Sequence, residues 1–208
     1  MTYLKNKNYS PVPYWCKLPY GMTFKNDATS VSVDSNDNVY VFSRGPIPVM
    51  IFNSEGEFIK SWGKGEFFRP HGIAHDNKDN VYLIDDQGHM VEKRNKDGKL
   101  LFRLGNKGKS SPHQSGKIFN LPTDAVIDPD NGDIYISDGY GNSRVHKFNE
   151  DGEHILSWGE PGSDPGKFSL PHNIALTKDK KIIVADRENF RLQIFDCDGN
   201  FIDQWHVH

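Results

Sequence analysis

Cysteine is scarce in this 208-residue chain, which has only Cys16 and Cys197. Two thiols are too few for a disulfide framework and lack the paired spacing of a cysteine metal motif, so they are expected to be buried thiols. Long apolar runs are missing too. Stretches such as Lys181-Ile182-Ile183-Val184-Ala185 meet charge at both ends, far short of the roughly 18 residues a membrane helix needs. The opening Met1-Thr2-Tyr3-Leu4-Lys5-Asn6-Lys7-Asn8 is positively charged with no apolar stretch behind it. It does not read as a secretory signal and points to the cytoplasm, with a secreted or periplasmic location left open if a leader precedes this numbering. A basic excess is also absent: 25 Lys and Arg stand against 28 Asp and Glu, for a net charge of −3. Neither nucleic acid nor a membrane is therefore an expected partner. What remains, 36% hydrophobic and 25% charged, is the composition of one globular domain.

The chain repeats itself. Four glycine turns, at Gly56, Gly98, Gly152 and Gly199, fall 42, 54 and 47 residues apart, and each opens an apolar strand. Six positions after each glycine stands a bulky residue, in turn Trp62, Leu104, Trp158 and Trp205. Ahead of each turn lie further alternating or β-branched runs, such as Val39-Tyr40-Val41-Phe42 and Val81-Tyr82-Leu83-Ile84, that read as strands. Four short strands per unit of about 40–50 residues, with no helical stretch, is the pattern of a β-propeller blade. The sequence predicts one all-β domain over 1–208, with blades at roughly 28–67, 68–117, 118–168 and 169–208. Residues 1–27 are expected to close the ring as a strand.

Inner strands of a propeller converge on its axis. The second and fourth open with Pro70-His71-Gly72-Ile73 and Pro171-His172-Asn173-Ile174, whereas the third opens with Pro122-Thr123-Asp124-Ala125. In a six-bladed ring the same alternation sets three imidazoles around one axis, a set of donors for a transition metal with a position left open. A lone histidine after proline merely caps a strand; two at matched positions point to a metal. His75, His89, His113, His146 and His154 are assigned to turns or outer faces. Asp138 and Asp186 read as structural, while Tyr140, Arg44 and Arg187 are polar groups without a local role.

The strings Leu121-Pro122-Thr123-Asp124, Ser137-Asp138-Gly139-Tyr140-Gly141-Asn142-Ser143-Arg144, Leu170-Pro171-His172 and Val184-Ala185-Asp186-Arg187-Glu188-Asn189 resemble the core of peptidyl-α-hydroxyglycine α-amidating lyases, six-bladed NHL-repeat propellers. The likeness runs in order from about Val31 to Phe195. It implies zinc held by His71 and His172 with a third histidine on a later blade, and Tyr140, Arg44 and Arg187 as catalytic residues. It also implies a structural calcium on the backbone carbonyls of Val31 and Ile73. The implied substrate is a small molecule or peptide ending in α-hydroxyglycine, split into an amide and glyoxylate. Vertebrate members carry a cysteine at the place of Gly141, so their disulfide is not expected here. With four blades of six, the expected ring is incomplete and the third Pro-His is missing, which sets activity in question. The alternative is a non-catalytic NHL propeller that binds a protein or peptide partner.

Overall fold

The structure, a computed structural model, describes residues 10–25 and 27–207. Four antiparallel sheets of four strands follow one another along the chain. The first is β1 (Ala28–Val33), β2 (Val39–Ser43), β3 (Val49–Phe52) and β4 (Phe58–Trp62). The second is β5 (Pro70–His75), β6 (Val81–Asp85), β7 (Met90–Arg94) and β8 (Leu100–Gly105). The third is β9 (Asp124–Ile127), β10 (Ile134–Asp138), β11 (Arg144–Phe148) and β12 (His154–Trp158), and the fourth β13 (Pro171–Leu176), β14 (Ile182–Asp186), β15 (Arg191–Phe195) and β16 (Phe201–His206). The first strands stand side by side, β1 against β5, β5 against β9 and β9 against β13. This is the expected all-β propeller arrangement of four-stranded blades.

Side-chain alternation explains how the blades hold together. Successive residues of a strand point to opposite faces, and in an interior blade both faces are covered. Val81 and Leu83 of β6 enter a core with Tyr40, Phe42 and Ile51 of the first blade, while Tyr82 and Ile84 enter a core with Ala125, Ile134 and Ile136 of the third. All five residues of β6 are therefore buried. The strand β14 is covered on one side only, and its burial alternates, Ile182 and Val184 facing Tyr135 and Val145. Each large side chain so buried contributes about 1.5–3 kcal/mol of transfer free energy.

Three expectations need correction. Two single helical turns interrupt the strands, α1 (Gly139–Asn142) and a 3-10 turn at Arg187–Asn189. Each is stopped by a left-handed residue, Ser143 at φ 49° and Phe190 at φ 51°, so neither grows into a helix. His146 lies on β11 and is fully buried rather than on an outer face, its Nε2 3.2 Å from Asp138 Oδ2. His75 sits on the inner strand β5, with Nδ1 2.8 Å from Ser32 Oγ. Of the segment 1–27, expected as a closing strand, residues 1–9 and 26 lie outside the described residues. The described part rests on the first blade, where Lys17 bridges Glu57 and Trp15 meets Phe52. Cys16 and Cys197 are both free thiols, and burial raises the Cys16 pKa. Among the described residues no helix is long and apolar enough to cross a membrane.

Candidate functional site

The two Pro-His segments share an irregularity at the start of the inner strand, which the first blade also has between Ala28 and Ser30. In the second blade Pro70 pairs with Asp85 but Ile73 with Leu83; in the fourth, Pro171 pairs with Asp186 and Asn173 with Ala185. Each inner strand thus carries one extra residue at its start, a bulge that re-aims a side chain. In the third blade the ladder is regular from Asp124 opposite Ser137 onward, and Thr123 N donates to Ser137 O at 2.8 Å. The two histidines come together at a common point.

Tyr140 arrives at that point from the next loop. Asp138, fully buried at the end of β10, accepts hydrogen bonds from Asn120 N at 3.0 Å, Asn142 Nδ2 at 2.8 Å and His146 Nε2 at 3.2 Å. These hold the single turn α1 in place. Gly139 lets α1 press against β13, because a Cβ there would stand 2.1 Å from Pro171 O. Asp85 and Asp186 do the equivalent work in their blades, Asp85 accepting from Arg69 N at 2.8 Å and Asp186 from Ser169 N at 2.9 Å. The structural reading of Asp138 and Asp186 agrees with this geometry.

The result is a cluster of three rings. Tyr140 Oη lies 3.0 Å from His71 Nε2 and 3.0 Å from His172 Nε2, and the two imidazole centroids are 5.0 Å apart. The far nitrogens fix the tautomers. His71 Nδ1 is 2.7 Å from Thr123 O, and a carbonyl only accepts, so Nδ1 carries the proton. His172 Nδ1 is 2.8 Å from Asn173 Oδ1, an amide whose Nδ2 donates to Asp124 Oδ2 at 3.1 Å. Burial lowers the pKa of both histidines; His172 and then Arg44 lower that of His71 further, Arg187 that of His172, and Asp86 opposes the shift at both. Two neutral imidazoles therefore aim Nε2 lone pairs at one hydroxyl that has a single proton to give. One of the two contacts sets lone pair against lone pair, a conflict that a cation held between the nitrogens would remove.

Three guanidiniums surround the cluster. Arg187 Cζ stands 5.7 Å from the Tyr140 ring centre, and its Nε donates to Glu188 Oε1 at 2.9 Å. Arg44 donates from Nε to Pro70 O at 3.2 Å and from Nη1 to Asp27 Oδ2 at 3.1 Å, which sets it beside the backbone that carries His71. Arg69 was not singled out in the sequence, yet its Cζ stands 5.6 Å from the Tyr140 ring and its Nε donates to the fully buried Asp86 at 2.6 Å. Its position directly before Pro70-His71 was the available signal. Val31 and Ile73 lie on adjoining inner strands, and Ile73 N donates to Ser30 Oγ at 3.3 Å. Among the described residues no group of three His, Cys, Asp or Glu side chains is placed to hold a metal. His71 and His172 fit two positions of a zinc ion.

Blades of four antiparallel strands around converging first strands make this an NHL-repeat β-propeller chain, and residues 119–148 and 168–195 match the NHL repeat itself. Among curated proteins it is similar to peptidyl-α-hydroxyglycine α-amidating lyase 1 of Drosophila melanogaster, 33% identical over 86% of this chain and 39% of that protein. It is also similar to peptidyl-glycine α-amidating monooxygenase A of Xenopus laevis, 37% identical over 82% of this chain and 20% of that protein. A third relative is human NHL repeat-containing protein 3, 35% identical over 92% of this chain and 58% of that protein. The chain thus spans between about a fifth and three fifths of the length of these relatives. Among solved structures, virginiamycin B lyase of Staphylococcus aureus aligns with a TM-score of 0.66 at 15% identity, over 88% of this chain and 57% of that one. The chain in the nidogen/laminin complex aligns equally well, with a TM-score of 0.66 at 15% identity over 86% of this chain and 63% of that one. At such identity these two speak for the fold alone.

Proposed function

We propose that this chain carries part of the active site of a zinc-dependent lyase that cleaves the C–N bond of a peptidyl-α-hydroxyglycine, releasing the peptide amide and glyoxylate. The observation that carries it is the pair of Nε2 lone pairs, both 3.0 Å from Tyr140 Oη, with one proton among the three atoms. Relatives named for this lyase activity support it.

When bound, zinc would supply Lewis-acid polarisation of substrate oxygen, with His71 and His172 as its ligands from this chain. Tyr140 is the base that takes the substrate hydroxyl proton. Arg69 and Arg187 stand over its ring, at 5.6 and 5.7 Å from the ring centre. Loss of that proton lets the carbon–oxygen bond become the carbonyl of glyoxylate as the C–N bond breaks, and the leaving nitrogen gains a proton to become the amide. Arg44 and Arg187 bind the substrate carboxylate, for which a planar guanidinium is suited. The backbone carbonyls of Val31 and Ile73 would hold a calcium ion with a structural part.

The full chain, saturated with zinc, is incubated with α-hydroxyhippurate and the glyoxylate measured. Release above the buffer rate that disappears on chelation is expected; zinc binding that is absent, or unchanged in His71→Ala and His172→Ala, overturns the proposal. A second reading, a propeller that binds protein or peptide, is favoured by one observation. Ile202, Trp205 and Val207 at the end of the fourth blade are 47%, 52% and 58% exposed, and apolar exposure of this kind suits a docking face.

A further inference from the structure

The third blade has threonine where its neighbours have histidine, and its inner strand touches both. Thr123 O receives the Nδ1 proton of His71. Asp124, one residue on, faces the other way, its Oδ2 accepting from Asn173 Nδ2 at 3.1 Å and from Ile174 N at 3.4 Å. An amide side chain can present either oxygen or nitrogen to a neighbour, whereas a carboxylate oxygen can only accept. Asp124 therefore decides which end of Asn173 faces His172. With Nδ2 held by Asp124, Oδ1 is left for the His172 Nδ1 proton, 2.8 Å away.

We propose that Asp124 is a positioning residue which, through the Asn173 amide, fixes His172 as the Nδ1–H tautomer, so that the blade lacking a histidine orients both imidazoles of the site. Partners behind a ligating histidine commonly fix its tautomer and ring orientation, and removing them weakens metal binding by about 10–100-fold. In this site the lock on His71 is a main-chain carbonyl, which no side-chain substitution removes. The lock on His172 is a two-residue relay and can be opened. The relay rests on the proposed function only in its purpose, since the tautomer exists with or without an ion.

The test reads the tautomer directly, by long-range proton–nitrogen NMR correlation on the metal-free, 15N-labelled full chain at pH 8. Both histidines are expected as Nδ1–H in the unsubstituted chain. Asp124→Leu removes the acceptor without changing shape much; His172 is expected to become a mixture of tautomers while His71, the internal control for folding, stays Nδ1–H. Adding Asn173→Asp to that variant places an acceptor-only group beside His172 and is expected to restore its Nδ1–H form. Should Asp124→Leu fail to fold, Asn173→Leu opens the same relay and is read in the same way. A His172 that is Nε2–H in the unsubstituted chain, or unmoved when the relay is opened, overturns the proposal. Zinc titration of the same samples separates the two ideas. A zinc affinity about 10-fold weaker in Asp124→Leu and restored in the double variant accords with both, whereas correct tautomers without zinc binding remove the lyase reading and leave the relay standing.

Discussion

Trp15 lies on Gly56 as Trp62 lies on Gly98. A Cβ on Gly56 would stand 3.1 Å from Trp15 Cδ2, and one on Gly98 would stand 2.8 Å from Trp62 Cδ2. The relation repeats with Leu104 against Gly152 and Trp158 against Gly199. The bulky residue of the fourth strand in each of the first three blades therefore sits on the glycine turn of the following blade, and Trp15 occupies the same place on the first.

This contact gives a stability prediction. Gly98 has φ +84° and no room for a side chain, while Gly166 has φ +82° with nothing within 4 Å of a Cβ. The left-handed backbone alone costs an alanine about 1–2 kcal/mol. Gly166→Ala should lose that much in denaturant unfolding, and Gly98→Ala clearly more, because Trp62 must also move. Equal losses would show that the indole contributes nothing at this junction.

Asp138 should be a costly aspartate to remove. It is fully buried and satisfies Asn120, Asn142 and His146 together. Breaking such a buried network typically costs about 3–5 kcal/mol. Asp138→Ala is expected to lower stability on that scale in urea unfolding and to displace Tyr140, read as a change in tyrosine fluorescence on zinc addition.

Tyr140→Phe removes one hydroxyl and leaves the ring. Glyoxylate release from α-hydroxyhippurate should fall at least about 100-fold, the contribution of a positioned general base, while zinc still binds. Arg187→Ala should instead raise KM for the same substrate. A fully active Tyr140→Phe chain would remove tyrosine from the chemistry.

The pH dependence of the metal-free chain carries two opposing signs. His71 and His172 are held below their ordinary value by burial. Their contribution to stability is present above about pH 6.5 and is lost as the pH falls below it. Burial pushes Asp124 up to about 6, so its contribution is present below about pH 4 and is lost as the pH rises through 6. Asp124→Asn should therefore be more stable than the unsubstituted chain at pH 7, by on the order of 2 kcal/mol, with the difference vanishing near pH 4. Parallel stability curves from pH 4 to 7 would contradict the raised carboxyl.

The blades were legible because glycine turns and two-residue alternation are local: Gly98 announces its hairpin and Val81-Tyr82-Leu83-Ile84 its strand wherever the chain lies. The pairing of His71 with His172 could be anticipated from matched Pro-His segments, since a repeat puts equal positions at equal places around an axis. Asp138 and Asp186 could be read as structural for the same reason. His146 was misplaced because burial on β11 depends on which blade covers that face, and no local pattern encodes it.

By itself, the sequence determined the four-stranded unit, its repetition, and which residues stand at the start of each inner strand, all consequences of hydrogen-bonded turns and side-chain alternation over a few residues. Only the tertiary structure decided how those starts use one another: the Thr123 carbonyl behind one imidazole, the Asp124 and Asn173 relay behind the other, and Arg69 over the tyrosine ring. Those partners are separated by tens of residues in the chain. What joins them is the packing of one sheet on the next, and the direction of each hydrogen bond follows from which atoms that packing brings within 3 Å.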